Sequence, residues 1–215
     1  MGISNQDIEN IKRKYPALEY VERDNTGVFT GKVVLNHMYN GVRMTGEFNV
    51  DIIVPREFPL ALPVVRELSN RIDKAYPHQY LGGYLCLASD LDLKMHFCKD
   101  VDISSFIDKY VIPYFYTYRF YEEYSVYPYG ERSHGIMGDL EYLKDLFNVR
   151  DWDQVFNIML FVIQSTYRGH LPCPCGSGRH IRNCHGDILR QMLEAGLRED
   201  CIRILVELRK VYGKE

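Results

Sequence analysis

Apolar and polar positions alternate in the early part of the chain. In RMTGEFNVDIIV (43–54) the alternation puts Met44, Phe48 and Val50 on one face, as a half-buried strand requires. Upstream, GVFTGKVVLNHM (27–38) is rich in β-branched residues, and Asn40-Gly41 between the two segments is a strong hairpin turn signal. A third strand is predicted in PVVREL (63–68), and an antiparallel meander is the simplest arrangement. The intervening REFPLALP (56–63) carries two prolines, which break a ladder and make a stiff loop. Ahead of the strands, residues 5–14 read as a short, charged amphipathic helix.

Further on, helical signals dominate. Asp102 is placed to cap a helix over ISSFIDKYVIPYFYTYRFYEEY, which Pro113 should kink or divide. Tyrosines 110, 114, 118, 121 and 124 fall at helical spacing, which reads as a core-facing stripe or as an interface. SVYPYGERSHGIMGD (125–139) reads as a loop or a boundary, and LEYLKDLFNV as a short helix. Asp151 with Gln154 three residues on predicts a capping box for the next helix. The C-terminal DILRQMLEAGLREDCIRILVELRKVY is helical, with Gly196 a point of division. The stretch after Cys86, ASDLDLKMHFCKD, is expected as an acidic, irregular loop.

Composition narrows the function classes. A net charge of -3 over 215 residues argues against a chain-wide affinity for nucleic acid or anionic membranes. No secretory h-region opens the sequence, and the most apolar run, VFNIMLFVI (155–163), is too short to span a bilayer. A soluble, cytoplasmic protein is therefore expected. In that compartment its six cysteines are reduced and serve as ligands, nucleophiles or packing residues. No GxGxxG or P-loop fingerprint is present.

Four of the candidate metal ligands cluster in CPCGSGRHIRNCHG: Cys173, Cys175, Cys184 and His185. Two thiolates with one residue between them, then a thiolate and an imidazole after eight intervening residues, can close a tetrahedron around Zn²⁺. Gly176 and Gly178 allow the tight turn between the pairs, and Arg179 and Arg182 can offset the charge of three thiolates. The run resembles the SEC-C motif over about residues 170–187. That resemblance implies a small structural zinc module used for protein contact. His170 and His180 read as surface histidines, Cys98 and Cys201 as packing residues.

Cys86 reads two ways, as a nucleophile or as a small core residue. Its surroundings, FPLALPVVRELSNRIDKAYPHQYLGGYLCL (58–87), resemble the core of ubiquitin-conjugating enzymes. Phe58-Pro59 and Pro63 match the family's proline loop, Tyr76-Pro77-His78 stands at the His-Pro-Asn turn, Gly83 lies three residues before the cysteine, and Leu85-Cys86-Leu87 matches Ile-Cys-Leu. The resemblance covers roughly residues 1–125. It implies an α+β fold with a four-stranded antiparallel meander and flanking helices, and acyl transfer through a thioester on Cys86. Two departures stand out: His78 replaces the oxyanion-supporting Asn, and the family's Trp-x-Pro element is missing. An imidazole can also donate to developing negative charge. Asp90 or Asp92 is a candidate to position an acceptor lysine, with a solvated loop as the alternative. His134 is a candidate second polar group, or a turn residue.

Together with YGERSHGIMGDLEYL (129–143) and the extra helices, the chain is similar to the conjugating-enzyme-like proteins of short type II CBASS antiphage operons. That likeness implies a particular partner, the C-terminus of a cGAS-like nucleotidyltransferase, joined to a lysine-bearing acceptor. The expected partition is a conjugating-like domain at 1–125, a helical extension at 126–166, and the zinc motif with C-terminal helices at 167–215. The rival reading is a non-catalytic binder that uses a degenerate conjugating fold, for which the loss of the Asn is the best support. A zinc-containing nucleic-acid binder has only Arg168, Arg179 and Arg182 in its favour.

Overall fold

The computed structural model describes residues 3–131 and 133–212. The outer limits of the expected 1–125 and 167–215 segments therefore fall outside the described residues. The chain is α+β and divides into two compact units: residues 1–88 with 100–131, and residues 89–99 with 132–215.

The first unit is built on an antiparallel sheet in the order β1 (Leu18–Arg23), β2 (Thr26–Tyr39), β3 (Val42–Val54) and β4 (Val64–Glu67). The Asn40-Gly41 turn sets the register of the long β2–β3 hairpin, with Tyr39 opposite Val42 and Gly27 opposite Val54. Both residues of that turn have positive φ, as a two-residue hairpin turn of the mirror-image type requires. Met44, Phe48 and Val50 all point inward. Helix α1 (Asn5–Lys14) starts at a Ser4–Asp7 capping box, in which the Asp7 amide donates to Ser4 Oγ and the Ser4 amide to Asp7 Oδ2. It buries Ile11.

Asp102 caps α3 (Ile103–Phe106) by accepting from the Ser104 and Ser105 amides. The helix passes through a π turn at Ile107–Val111 into α4 (Ile112–Tyr124). Pro113 has no N–H to offer the preceding turn, and the wider turn lies just before it. The tyrosine stripe is largely core: Tyr110, Tyr114 and Tyr118 are buried, whereas Tyr124 is exposed. Phe115 stacks on Phe48 with ring centroids 3.9 Å apart. Each such fully buried ring contributes about 2–3 kcal/mol of burial free energy.

The second unit contains α2 (Asp90–Lys99), α5 (Ile136–Leu146), α6 (Trp152–Gln164), α7 (Gly186–Glu194) and α8 (Arg198–Tyr212). One core unites Leu91 and Met95 of α2 with Leu143, Val155, Ile158, Ile181, Leu189 and Ile204. Residues of both the expected 126–166 and 167–215 segments thus share this core, whereas 126–131 belong to the first unit. The acidic loop expected after Cys86 is instead helix α2. The Asp92 amide donates to Ser89 Oγ at its start, and Asp90 and Asp92 charge its first turn favourably for the helix dipole. The Gln191 amide group donates to Met95 O at 2.6 Å, and Lys94 pairs with Asp200 at 2.7 Å, tying α2 to α7 and α8. Gly196, at φ 70°, divides α7 from α8. Among the described residues, no helix is long and apolar enough to cross a membrane.

Candidate active site and metal centre

Cys86 follows a tight loop laid against the edge of the sheet. Leu85 N donates to Val65 O at 2.9 Å, so the segment continues β4's hydrogen bonding for one rung. The loop at 80–84 closes on itself through Tyr80 N to Tyr84 O and Gly83 N to Tyr80 O. Gly82 and Gly83 both have φ above 80°, and Arg66 Nε holds the Gly82 carbonyl at 2.7 Å. A Cβ on Gly83 would lie 2.6 Å from Glu67 O. The close approach of loop to strand thus requires glycine there.

This scaffold presents a half-buried Cys86 thiol. Its main-chain N–H is committed to His78 O at 2.9 Å, and the same oxygen accepts from the Tyr114 hydroxyl. Burial pushes the Tyr114 phenol well above its ordinary value, so it stays a neutral donor. The loop carrying His78 is therefore pinned from two sides. A His78 ring nitrogen lies within 4.8 Å of Cys86 Sγ. The ring is set edge-on between Tyr76 and Tyr127, each 5.4 Å away, and its Nε2 is 3.8 Å from the Glu131 carboxylate.

The Tyr80 hydroxyl donates to Cys86 Sγ at 3.2 Å. The reading from sequence overlooked this residue. Its signal was the spacing: a phenol two positions after His78, on the loop that turns back to the cysteine. The other catalytic candidates, Asp90, Asp92 and His134, belong to the second unit. Asp90 is exposed, Asp92 is half-buried, and both lie in the first turn of α2. His134 is exposed in the loop that leads into α5.

The second constellation lies wholly in the second unit. The Sγ atoms of Cys173, Cys175 and Cys184 and a ring nitrogen of His185 all lie within 4.8 Å of one another. Cys175 and Cys184 are 3.6 Å apart, and His185 Nδ1 is 3.4 Å from both Cys173 and Cys184. Zn–S bonds of about 2.3 Å and Zn–N bonds of about 2.05 Å at the tetrahedral angle give edges of about 3.8 Å (S···S) and about 3.6 Å (S···N). The donors thus stand close to the spacing of one tetrahedral ion, and the cluster can hold a metal, with a donor set compatible with zinc.

Local structure explains the geometry. Cys173 N donates to Arg179 O and Ile181 N to Leu171 O, which folds the segment into a narrow loop with positive φ at Gly176 and Gly178. Gln154 links this loop to α6: its Oε1 accepts from the Asp151 amide in the predicted capping box, and its Nε2 donates to Cys175 O at 2.6 Å. The His185 ring packs edge-on against Phe147 and hydrogen-bonds its main chain, which leaves Nδ1 facing the sulfurs. Arg179 Nη2 and Ser177 Oγ approach Cys184 Sγ at 3.2 and 3.3 Å.

Electrostatics differ among the donors. Burial pushes the Cys173 thiol up to about 11. Burial also acts on Cys175, but hydrogen bonds from Ser177 and from the neighbouring thiols outweigh it and hold Cys175 below its ordinary value. Desolvation, then the Arg179 charge, lowers His185, which favours the neutral imidazole a metal needs. His170 and His180 are exposed and outside the cluster. Cys201 is fully buried, and its thiol is pushed up to about 12 by desolvation, as suits a packing residue. Cys98 is half-buried on α2, 3.9 Å from Gln191 O. Comparison with protein-family models, curated proteins and solved structures returned no match to this chain.

Proposed function

We propose that the chain is a cysteine-dependent acyl-transfer protein of ubiquitin-conjugating-like architecture, with Cys86 as nucleophile and a zinc-bearing, SEC-C-like module in its second unit. The observation that carries this reading is the Cys86 ledge. An accessible thiol ends a loop that is hydrogen-bonded to the sheet edge, with a phenol donor at 3.2 Å and an imidazole within 4.8 Å. The order of helix, four-stranded meander, cysteine loop and helix along the chain also suits it.

In this reading the Cys86 thiolate attacks an already activated C-terminal acyl group of a partner protein. The C–S bond forms as the activating group leaves. A lysine amine then attacks the thioester carbonyl, the C–N bond forms, the C–S bond breaks, and the amine's proton passes to solvent. The main-chain N–H of Cys86 is engaged with His78 O. Charge developing on the acyl oxygen is therefore left to side-chain donors, and His78 and Tyr80 are two candidates from the cysteine's own unit. No GxGxxG or P-loop fingerprint occurs in the sequence, so in this reading the acyl group is activated by a separate enzyme or on the partner itself. The partner we favour is the C-terminus of a cGAS-like nucleotidyltransferase encoded beside this chain in an antiphage operon.

The test is co-expression with that nucleotidyltransferase. Wild type is expected to yield an adduct cleaved by dithiothreitol, and Cys86→Ser one that resists it. No adduct with wild type, together with full biological activity of Cys86→Ala, would leave the non-catalytic binding reading. His78 in place of the family's asparagine favours that alternative, because its ring is packed between two tyrosines.

A further inference from the structure

The second unit carries a groove of about 400 Å³ with an electrostatic character unlike that of the chain as a whole. It lies between the segment that follows α6 and the α7–α8 junction. Its lining includes Ser165, Thr166 and Tyr167 from the first segment and Arg190, Leu193 and Arg198 from the second. Glu194 is the one carboxylate among the lining residues, so two guanidinium groups face a single negative charge. The imbalance extends along the sequence. Residues 166–198 hold five arginines against two carboxylates, in a chain of net charge -3.

The groove is preorganised rather than merely basic. The guanidinium of Arg190 lies over the Tyr167 ring, 4.6 Å from its centroid. Tyr167 is itself held against two glycines: a Cβ on Gly186 would come within 2.9 Å of the Tyr167 hydroxyl, and one on Gly169 within 3.4 Å. Gly186 directly follows the metal-cluster residue His185, so the cluster and the ring beneath Arg190 are set by the same few residues. A guanidinium stacked face-on keeps its N–H edge available, and stacking reduces the freedom it loses on binding. Arg198 is anchored through Nη2 to Ser165 O at 3.2 Å, which uses one of its five donors. The nearest carboxylate to Arg190, Asp187, stands 4.0 Å away on an exposed side chain.

We propose that this groove is an anion site that takes the phosphate group of a small ligand. The donor count favours phosphate over carboxylate. One arginine fork saturates the two oxygens of a carboxylate, whereas two forks with the Ser165 and Thr166 hydroxyls match the oxygens of a phosphate. Leu193 offers an apolar wall for whatever the phosphate is attached to. The inference stands apart from the acyl-transfer reading, because none of its residues belongs to the cysteine ledge.

The test is a titration of the full-length, zinc-loaded chain with inorganic phosphate, followed by arginine Nε–Hε and backbone amide resonances. Saturable shifts at Arg190, Arg198, Ser165 and Thr166 are expected, with none of comparable size from chloride at matched ionic strength. Arg198→Gln should weaken binding about tenfold or more, as loss of a charge-assisted hydrogen bond does. Arg190→Lys, which keeps the charge but loses the fork, should also weaken it. Arg168→Gln, outside the groove, should leave it unchanged. Both groove variants alter exposed side chains, and unchanged circular dichroism would show that they remain folded. Non-saturating shifts, equal shifts with chloride, or acetate binding as tightly as phosphate would each overturn the proposal.

Discussion

Alanine at Gly82 and at Gly83 tests the account of the cysteine ledge, because the two neighbours share a backbone conformation and differ in their surroundings. Both have φ above 80°, so alanine at either position bears the left-handed penalty of about 1–2 kcal/mol, partly offset by a stiffer unfolded chain. At Gly82 the added Cβ meets only the Tyr84 ring at 3.6 Å, an ordinary contact. At Gly83 it would sit 2.6 Å from Glu67 O, well inside van der Waals contact. That carbonyl cannot retreat easily. Glu67 ends β4, its carboxylate accepts from the Ser69 and Arg71 amides, and the next amide, Leu68 N, donates to Asn49 O. Forcing the strand and loop apart adds about 1–3 kcal/mol. Gly82→Ala is thus expected to cost about 1 kcal/mol and Gly83→Ala about 2–4 kcal/mol. Urea unfolding resolves where the loss falls. Fourteen of the seventeen tyrosines lie in the first unit, so near-ultraviolet dichroism reports it, whereas the single tryptophan, Trp152, reports the second. The reasoning fails if Gly83→Ala is no more destabilising than Gly82→Ala, or if the loss appears only in the tryptophan signal.

Three further outcomes are expected. Cys173→Ser/Cys184→Ser should abolish stoichiometric zinc and lower the unfolding midpoint seen by Trp152; unchanged zinc by elemental analysis would refute the ligand set. Tyr80→Phe should slow alkylation of Cys86 by iodoacetamide at neutral pH about threefold to tenfold through loss of the hydrogen bond to sulfur, whereas an unchanged rate would remove Tyr80 from the site. Burial raises the Asp139 carboxyl above its ordinary value of 3.8, against the opposing pull of Arg203. The folded state therefore holds a proton that the unfolded state has already released, and the second unit should lose stability as pH rises from about 4 through that raised value. Arg203→Gln should steepen this loss, and a flat profile in urea unfolding across the window would contradict it.

The hairpin, the caps and the metal cluster were legible because each rests on local chemistry. Asn40-Gly41 fits the turn it forms, Asp102 has its amide partners two and three residues away, and Gln154 reaches back to Asp151. The fourth strand that the resemblance implied, β1, was not located from the residues because LEYVER is short and half charged, and sits at the sheet edge with β2 as its neighbour. Helix α2 was misread for a different reason. Its apolar residues Leu91, Leu93, Met95 and Phe97 alternate with period two, and they are buried together with His96, so the helix is enclosed on most sides and shows no single apolar stripe. The Ser89-to-Asp92 spacing was the available start signal. Around Cys86, the glycine spacing pointed to the loop, but the Tyr80 contact depends on how the 80–84 turn closes.

The route of the chain bears on its synthesis. Helix α2 emerges from the ribosome flanked on both sides by residues of the first unit, yet Leu91 and Met95 find their packing partners among residues 140–204. At about 5–20 residues per second, the ribosome needs several seconds to supply them. During that interval the apolar residues of α2 lack their packing partners, although every strand of the sheet has already been made. A fragment ending at 131 would make the wait permanent, and such a truncation should need α2 removed or its apolar residues made polar to stay in solution.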